Sequence, residues 1–170
     1  MMTFELKKLT HEGIDSALSK AERYRLLNEP AEAASICRDV LAVEADHQPA
    51  LVALVLSLSD QYAHGADPSK EIDVLTARLT DPYEKAYYAG LALERRAKAL
   101  FRQRGANVGT RHTVHAWVHR AMHLFEQAEA VRPPGNDEPL LRWNACARFL
   151  MQHPGICQET DEERVAVMSE

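Results

Sequence analysis

At 170 residues, 46% apolar and 26% charged, the chain has the make-up of one globular domain with a real core and is short for two. A formal net charge of −5 speaks against general nucleic-acid binding, which needs a basic footprint, and no apolar run approaches the roughly 18 residues of a membrane span. The N-terminus lacks the charged and apolar regions of a signal peptide, and three cysteines without paired spacing fit a reducing compartment, so the cytoplasm is the expected location.

In chain order, residues 1–10 form an N-terminal extension. Residues 11–28 carry Ile14, Leu18, Ala21, Arg25 and Leu26 at helical spacing, with Thr10 as N-cap. Asn28-Glu29-Pro30 breaks the pattern, and Pro30 opens a second helix running to about Glu44. Asp46-His47-Gln48-Pro49 is the next turn, and Pro49 to Tyr62 is a strongly apolar third helix, ended at Gly65. A shorter fourth helix covers Ser69 to Leu79, and Thr80-Asp81-Pro82 serves as turn and cap. A long fifth helix runs from Tyr83 to about Arg104. Gly105 to Gly109 is a loop, and a sixth helix spans Thr110 to Val131. Asp137 caps a seventh helix ending near Gln152. Residues 153–170 read as an acidic tail. No segment alternates with period two. The expected fold is all-α, with about seven helices joined by short turns.

One segment carries more information than the rest. Ala121-x3-Phe125-x2-Ala128-x4-Pro133 places small, large and small residues on one helical face, with a proline past the helix end. Small residues are needed where a neighbouring helix crosses closely, and a bulky one fills the gap beside it. Ala33-x3-Cys37-x2-Val40, followed by Pro49, is a looser copy, and Ala21-x2-Tyr24 supplies the small-aromatic pair of a preceding helix. These residues resemble the tetratricopeptide repeat, a unit of two antiparallel helices of about 34 residues. The resemblance covers roughly residues 11–152, as about three degenerate repeats plus a capping helix. It departs from the pattern in the missing Trp and Leu-Gly signals of the first unit and the truncated second helix of the middle one. It implies a right-handed superhelix with an open groove lined by the first, third and fifth helices. It also implies a non-catalytic scaffold that binds a partner's peptide there. The positions at which such domains grip a chaperone's C-terminal carboxylate hold Leu18 and Glu22 and a nearly uncharged third helix, so that subtype is not indicated. Small bacterial secretion chaperones share the size and repeat count.

Two stripes are candidate sites. On the fifth helix Tyr88, Leu91, Arg95, Lys98 and Arg102 fall on one side, away from Ala86, Leu93, Ala97 and Leu100. In the groove this would be a basic patch for an acidic peptide, with Arg95 and Arg102 as two-point carboxylate anchors. The acidic residues Glu159, Asp161, Glu162 and Glu163 could fold back onto it. On the sixth helix His112, His115, His119 and His123 form a stripe opposite the apolar face, continued by Glu126. Histidines at i and i+4 can share a zinc or nickel ion, but only adjacent members reach one another. A solvated polar face is the plainer account. Cys37 and Cys146 sit in apolar helical patterns as buried fillers, and no arrangement of nucleophile, base and acid is recognisable. No cofactor is expected.

Overall fold

The computed structural model describes residues 2–157, and every regular element in that range is helical. After a 3-10 turn at His11–Gly13, α1 spans Ile14–Leu26. Its stop is written in Asn28, which takes φ 61° while the Glu29 N–H reaches the Tyr24 carbonyl at 2.9 Å. Asparagine tolerates this left-handed position better than other residues with a Cβ. Pro30 then opens α2 (Pro30–Val43), where the missing N–H costs nothing. The His47 ring nitrogen Nδ1 accepts from the Ala50 N–H at 3.2 Å and caps α3 (Gln48–Asp60). A 3-10 turn at Gln61–His64 ends at Gly65, φ 86°. α4 is short, Ser69–Ala77. Asp81 accepts from the Tyr83 N–H at 2.8 Å and starts the long α5, Pro82–Arg104.

Several ends differ from the sequence expectation by a residue or two, α3 stopping at Asp60 and not Tyr62 and α4 at Ala77 and not Leu79, and two differences have a visible cause. The Asn107 side chain accepts from the Thr110 N–H at 2.9 Å, so α6 begins two residues early and runs Val108–Ala130. Only residues 105–107 link it to α5. After α7 (Glu138–Gln152), a further short helix, α8 (Pro154–Cys157), stands where the tail was expected to begin. Ile156 is buried with the core, and the Arg111 guanidinium donates to the Gly155 carbonyl at 3.2 Å. Ordered packing therefore continues past residue 152. The acidic stretch Glu159, Asp161, Glu162 and Glu163 lies outside the described residues.

Successive helices pack on one another, and α1, α3, α5 and α7 also touch in series. The apolar interior has two large clusters, and a small third one of Ile14, Val40 and Ala50 lies at the α1–α3 end. One core gathers Ala21, Cys37, Leu51, Leu54, Leu58 and Ile72 from α1 to α4 and Leu79 just beyond α4 with Ala92 and Ala99 of α5. The other joins Leu91 and Ala97 of α5 to Val114, Val118, Ala121, Phe125, Cys146 and Leu150. Helix α5 is thus the wall between two cores and is buried on more than one side. Its closest approach is to α6. A Cβ placed on Gly90 would lie 2.9 Å from the Phe125 ring, which is 0% exposed and has nowhere to go. Ala121, Phe125 and Ala128, the residues of the small-large-small pattern, are all fully buried in this contact region.

Gly90→Ala is expected to be destabilising even though alanine is the better helix former. Overpacking costs about 1–3 kcal/mol, against a propensity gain of about 1 kcal/mol. Urea unfolding of the variant should show a lower midpoint at an unchanged slope, and an unchanged or higher midpoint would contradict the close α5–α6 crossing.

Candidate functional site

The enclosure of α5 decides the fate of its charged stripe. Leu91 is buried in the second core, and so does not line a groove as the sequence pattern suggested. Tyr88 is half-buried and packs against both cores. Arg95 and Lys98 leave α5 toward different neighbours, so the stripe is not one continuous patch. Arg102 alone among the five is exposed.

Arg95 belongs to an ionic node linking three helices. Its Nη1 donates to Asp60 at 2.8 Å and to the Ser59 hydroxyl at 2.6 Å, while Arg25 of α1 donates through Nε to the other oxygen of Asp60 at 2.8 Å. All three ionised side chains are only about a quarter exposed. Burial pulls the Arg95 pKa below its ordinary value, and the Asp60 carboxylate opposes that pull. Lys98 donates from its ammonium to Glu94, one turn earlier on α5, at 2.5 Å, and lies over the Phe149 ring of α7. Glu94 is 2% exposed. Its second oxygen has no hydrogen-bond partner among the described residues, and Arg142 Nε stands 3.5 Å away. Two ionic clusters thus meet on α5: Arg25–Asp60–Arg95 links α1, α3 and α5, and Lys98–Glu94–Arg142 links α5 to α7. Four cations face two carboxylates. The excess positive charge sits in a partly desolvated strip, where charge acts more strongly than in water.

Sequence reasoning missed Arg25, Asp60, Glu94 and Arg142. Arg25 was placed on the apolar face of the first helix, correctly as to direction, while Leu26 of the same expectation is 83% exposed. A signal for Asp60 was present: it is the one ionised residue of an otherwise apolar helix. Glu94 likewise interrupts a run of buried positions on α5.

A cavity of about 390 Å³ opens between α1, α3 and α5, bordered by Glu22, Arg25, Leu26, Asp60, Arg95 and Arg102. Arg95 and Arg102, the two anchors expected from the sequence, therefore do border one space. They differ in state. Arg95 is held by Asp60, whereas Arg102 pairs with no described residue.

The histidine stripe lies on α6 as its spacing requires. His112, His119 and His123 are exposed and His115 is half-buried. The rings of His115 and His119 stand 4.4 Å apart between centroids. His123 turns away toward Glu126 (3.5 Å) and Gln127 (3.1 Å), and Glu126 also accepts from the Trp143 indole at 3.0 Å. Among the described residues, no three His, Cys, Asp or Glu side chains converge on one ion position. Burial first, then the neighbouring His119 and His112, holds the His115 pKa below the usual imidazole value. Cys37 and Cys146 are fully buried, and burial pushes their thiols up to about 11 and about 12. At neutral pH neither is a nucleophile.

Comparison of the chain with protein-family models, curated proteins and solved structures finds no match to any of them. The likeness to tetratricopeptide repeats thus rests on the residues of this sequence alone. No helix among the described residues is long and apolar enough to cross a membrane.

Asp60→Asn removes the shared counter-ion of two partly buried guanidinium groups and should cost about 1–3 kcal/mol, between the values for exposed and buried pairs. Denaturant unfolding at low and high salt measures it, and wild-type stability in the variant would show the node to be inert. His115 gives a pH signature. A base whose pKa is lowered in the folded state favours folding above its unfolded pKa, near 6.5, and that contribution fades as pH falls through this value. Between pH 7 and 5 the melting temperature of His115→Gln should therefore fall less steeply than that of the wild type, and parallel curves would remove the assignment.

Proposed function

We propose that this protein is a non-catalytic scaffold of stacked helix pairs, similar to tetratricopeptide proteins, that binds an acidic peptide segment of a partner protein. The observation that carries this reading is the convergence of Arg25, Arg95 and Arg102 on one solvent-open cavity bounded by α1, α3 and α5. The Asp60 carboxylate holds two of these guanidinium groups before any ligand arrives, which lowers the ordering cost of binding. Arg102 is left to pair with a carboxylate of the guest in two-point fashion. Leu26, exposed at the rim of the same cavity, offers an apolar contact beside the charges. Binding of this kind makes and breaks no covalent bond. It depends on charge complementarity at the rim and on a few apolar anchors, and so weakens with salt.

Fluorescence anisotropy of a labelled glutamate-rich peptide containing one leucine, against its lysine-rich counterpart, tests the reading. The acidic probe should bind and the basic one should not. Arg102→Glu should weaken the acidic probe by about ten-fold, equivalent to about 1.4 kcal/mol, without lowering stability. Arg95→Glu is a poor probe of binding, because it places two carboxylates against each other at Asp60 and would act on folding first. Equal affinity for both peptides, or an unchanged affinity in Arg102→Glu, would sink the proposal.

A further inference from the structure

A second surface lies on another side of α5. Helix α4 has nine residues and α6 has 23, so α4 cannot flank the whole length of the long hairpin formed by α5 and α6. The uncovered space is a groove of about 640 Å³. Its floor is Ala86, Ala89 and Leu93 of α5, each only partly buried, and its far wall is Trp117 and Leu124 of α6. Small residues on a helix surface are where another segment can approach closely. The rim is basic. Lys85 and Arg120 are exposed and pair with no described residue, and Arg96 lies 4.2 Å over the Trp117 ring while bound to Asp67. Asp73 is the one carboxylate on the lining.

We propose that residues 158–170 of this same chain seat in that groove. Three observations select this occupant. The first is charge: the segment reads Gln158-Glu159-Thr160-Asp161-Glu162-Glu163-Arg164, four acids and one arginine, opposite a rim with an excess of cations. The second is the pattern that follows, Val165-Ala166-Val167-Met168, a short apolar run matched to a floor of alanine and leucine. The third is reach. Helix α8 is tied to the first turn of α6 through Arg111 and Gly155, so the segment departs beside the N-terminus of the wall helix. From Arg111, Trp117 lies about 9 Å and Leu124 about 20 Å further along the α6 axis. Thirteen residues extend up to about 43 Å, enough to round α6 and follow the groove. A tethered segment also works at a high effective concentration, so modest contacts suffice to hold it. The seat shares only Tyr62 with the lining of the cavity of Arg102 and does not rest on the scaffold reading. Occupied in this way, the groove is withheld from any other helix or peptide until the segment is displaced.

Acrylamide quenching of Trp117 reads the seat directly, with Trp143→Phe as the background so that one indole reports. Three proteins are compared: the full chain, the chain lacking residues 158–170, and the full chain carrying Lys85→Glu and Arg120→Glu. Circular dichroism confirms that each is folded. Deletion should raise the quenching constant about two-fold as the covered indole opens to solvent, and the charge reversals should reproduce that rise. A synthetic 158–170 peptide should restore protection to the truncated chain but not to a truncated chain with the reversed rim. Arg102→Glu should leave quenching unchanged. Equal quenching of the full and truncated chains overturns the proposal. Protection that fades on dilution also overturns it, because the segment then comes from a second copy.

Discussion

The close crossing of α5 and α6 at Gly90 and Phe125 is the contact on which the remaining arrangement depends. With no Cβ on Gly90, the Phe125 ring lies directly on the α5 backbone, and the two longest helices form one hairpin with a shared interior. That hairpin sets where everything else can go. Helix α3 packs on one flank of α5, α7 and α8 pack on α6, and α5 becomes a partition between two apolar clusters. A helix enclosed in this way cannot present a long polar stripe to solvent. Its charged residues must be answered by neighbours, because an unpaired buried charge costs far more than a solvated one.

Hence the two ionic clusters that join α1, α3 and α5 and then α5 and α7. Asp60 answers Arg25 and Arg95, and Glu94 answers Lys98 with Arg142 close by. The pairs Arg25–Asp60, Arg95–Asp60 and Arg142–Glu94 serve as cross-links between helices, while Lys98–Glu94 lies within α5. The same pairs separate cations that fasten the fold from cations that are free. Among the described residues Arg102, Lys85 and Arg120 are in the second group: Arg102 stands beside the cavity between α1, α3 and α5, and Lys85 and Arg120 stand beside the groove between α4, α5 and α6. Binding is best sought at the cations the fold leaves uncommitted.

The helical elements were legible because their signals are local. Asn28 before Pro30, Gly65 after an apolar helix and Asp81 before Pro82 each stop or start a helix through their own backbone preferences or a hydrogen bond within three residues. The small-large-small pattern around Phe125 likewise declared a close crossing, although it did not name Gly90 as the partner. The start of α6 and the existence of α8 were missed for reasons just as specific. Asn107 caps the helix that was expected to start at Thr110, and residues from 153 onward were read as tail when Pro154 in fact opens a final turn. The α5 stripe was read from angles on a single helix, which says which residues share a side and nothing about what stands opposite.

The sequence by itself determined the all-α class, the order and approximate limits of seven helices, and the side on which each carries its small residues. Those properties follow from backbone preferences and from a periodicity that one helix contains within itself. Only the tertiary structure decided that Leu91 is buried, that Arg95 is bound by Asp60, that Arg142 is brought up to Glu94, and that a groove remains beside the short α4. Each of these is a relation between helices distant in the chain. Whether a charge is free or already paired depends on which carboxylate packing brings within 3 Å, and that distance is written in no single helix.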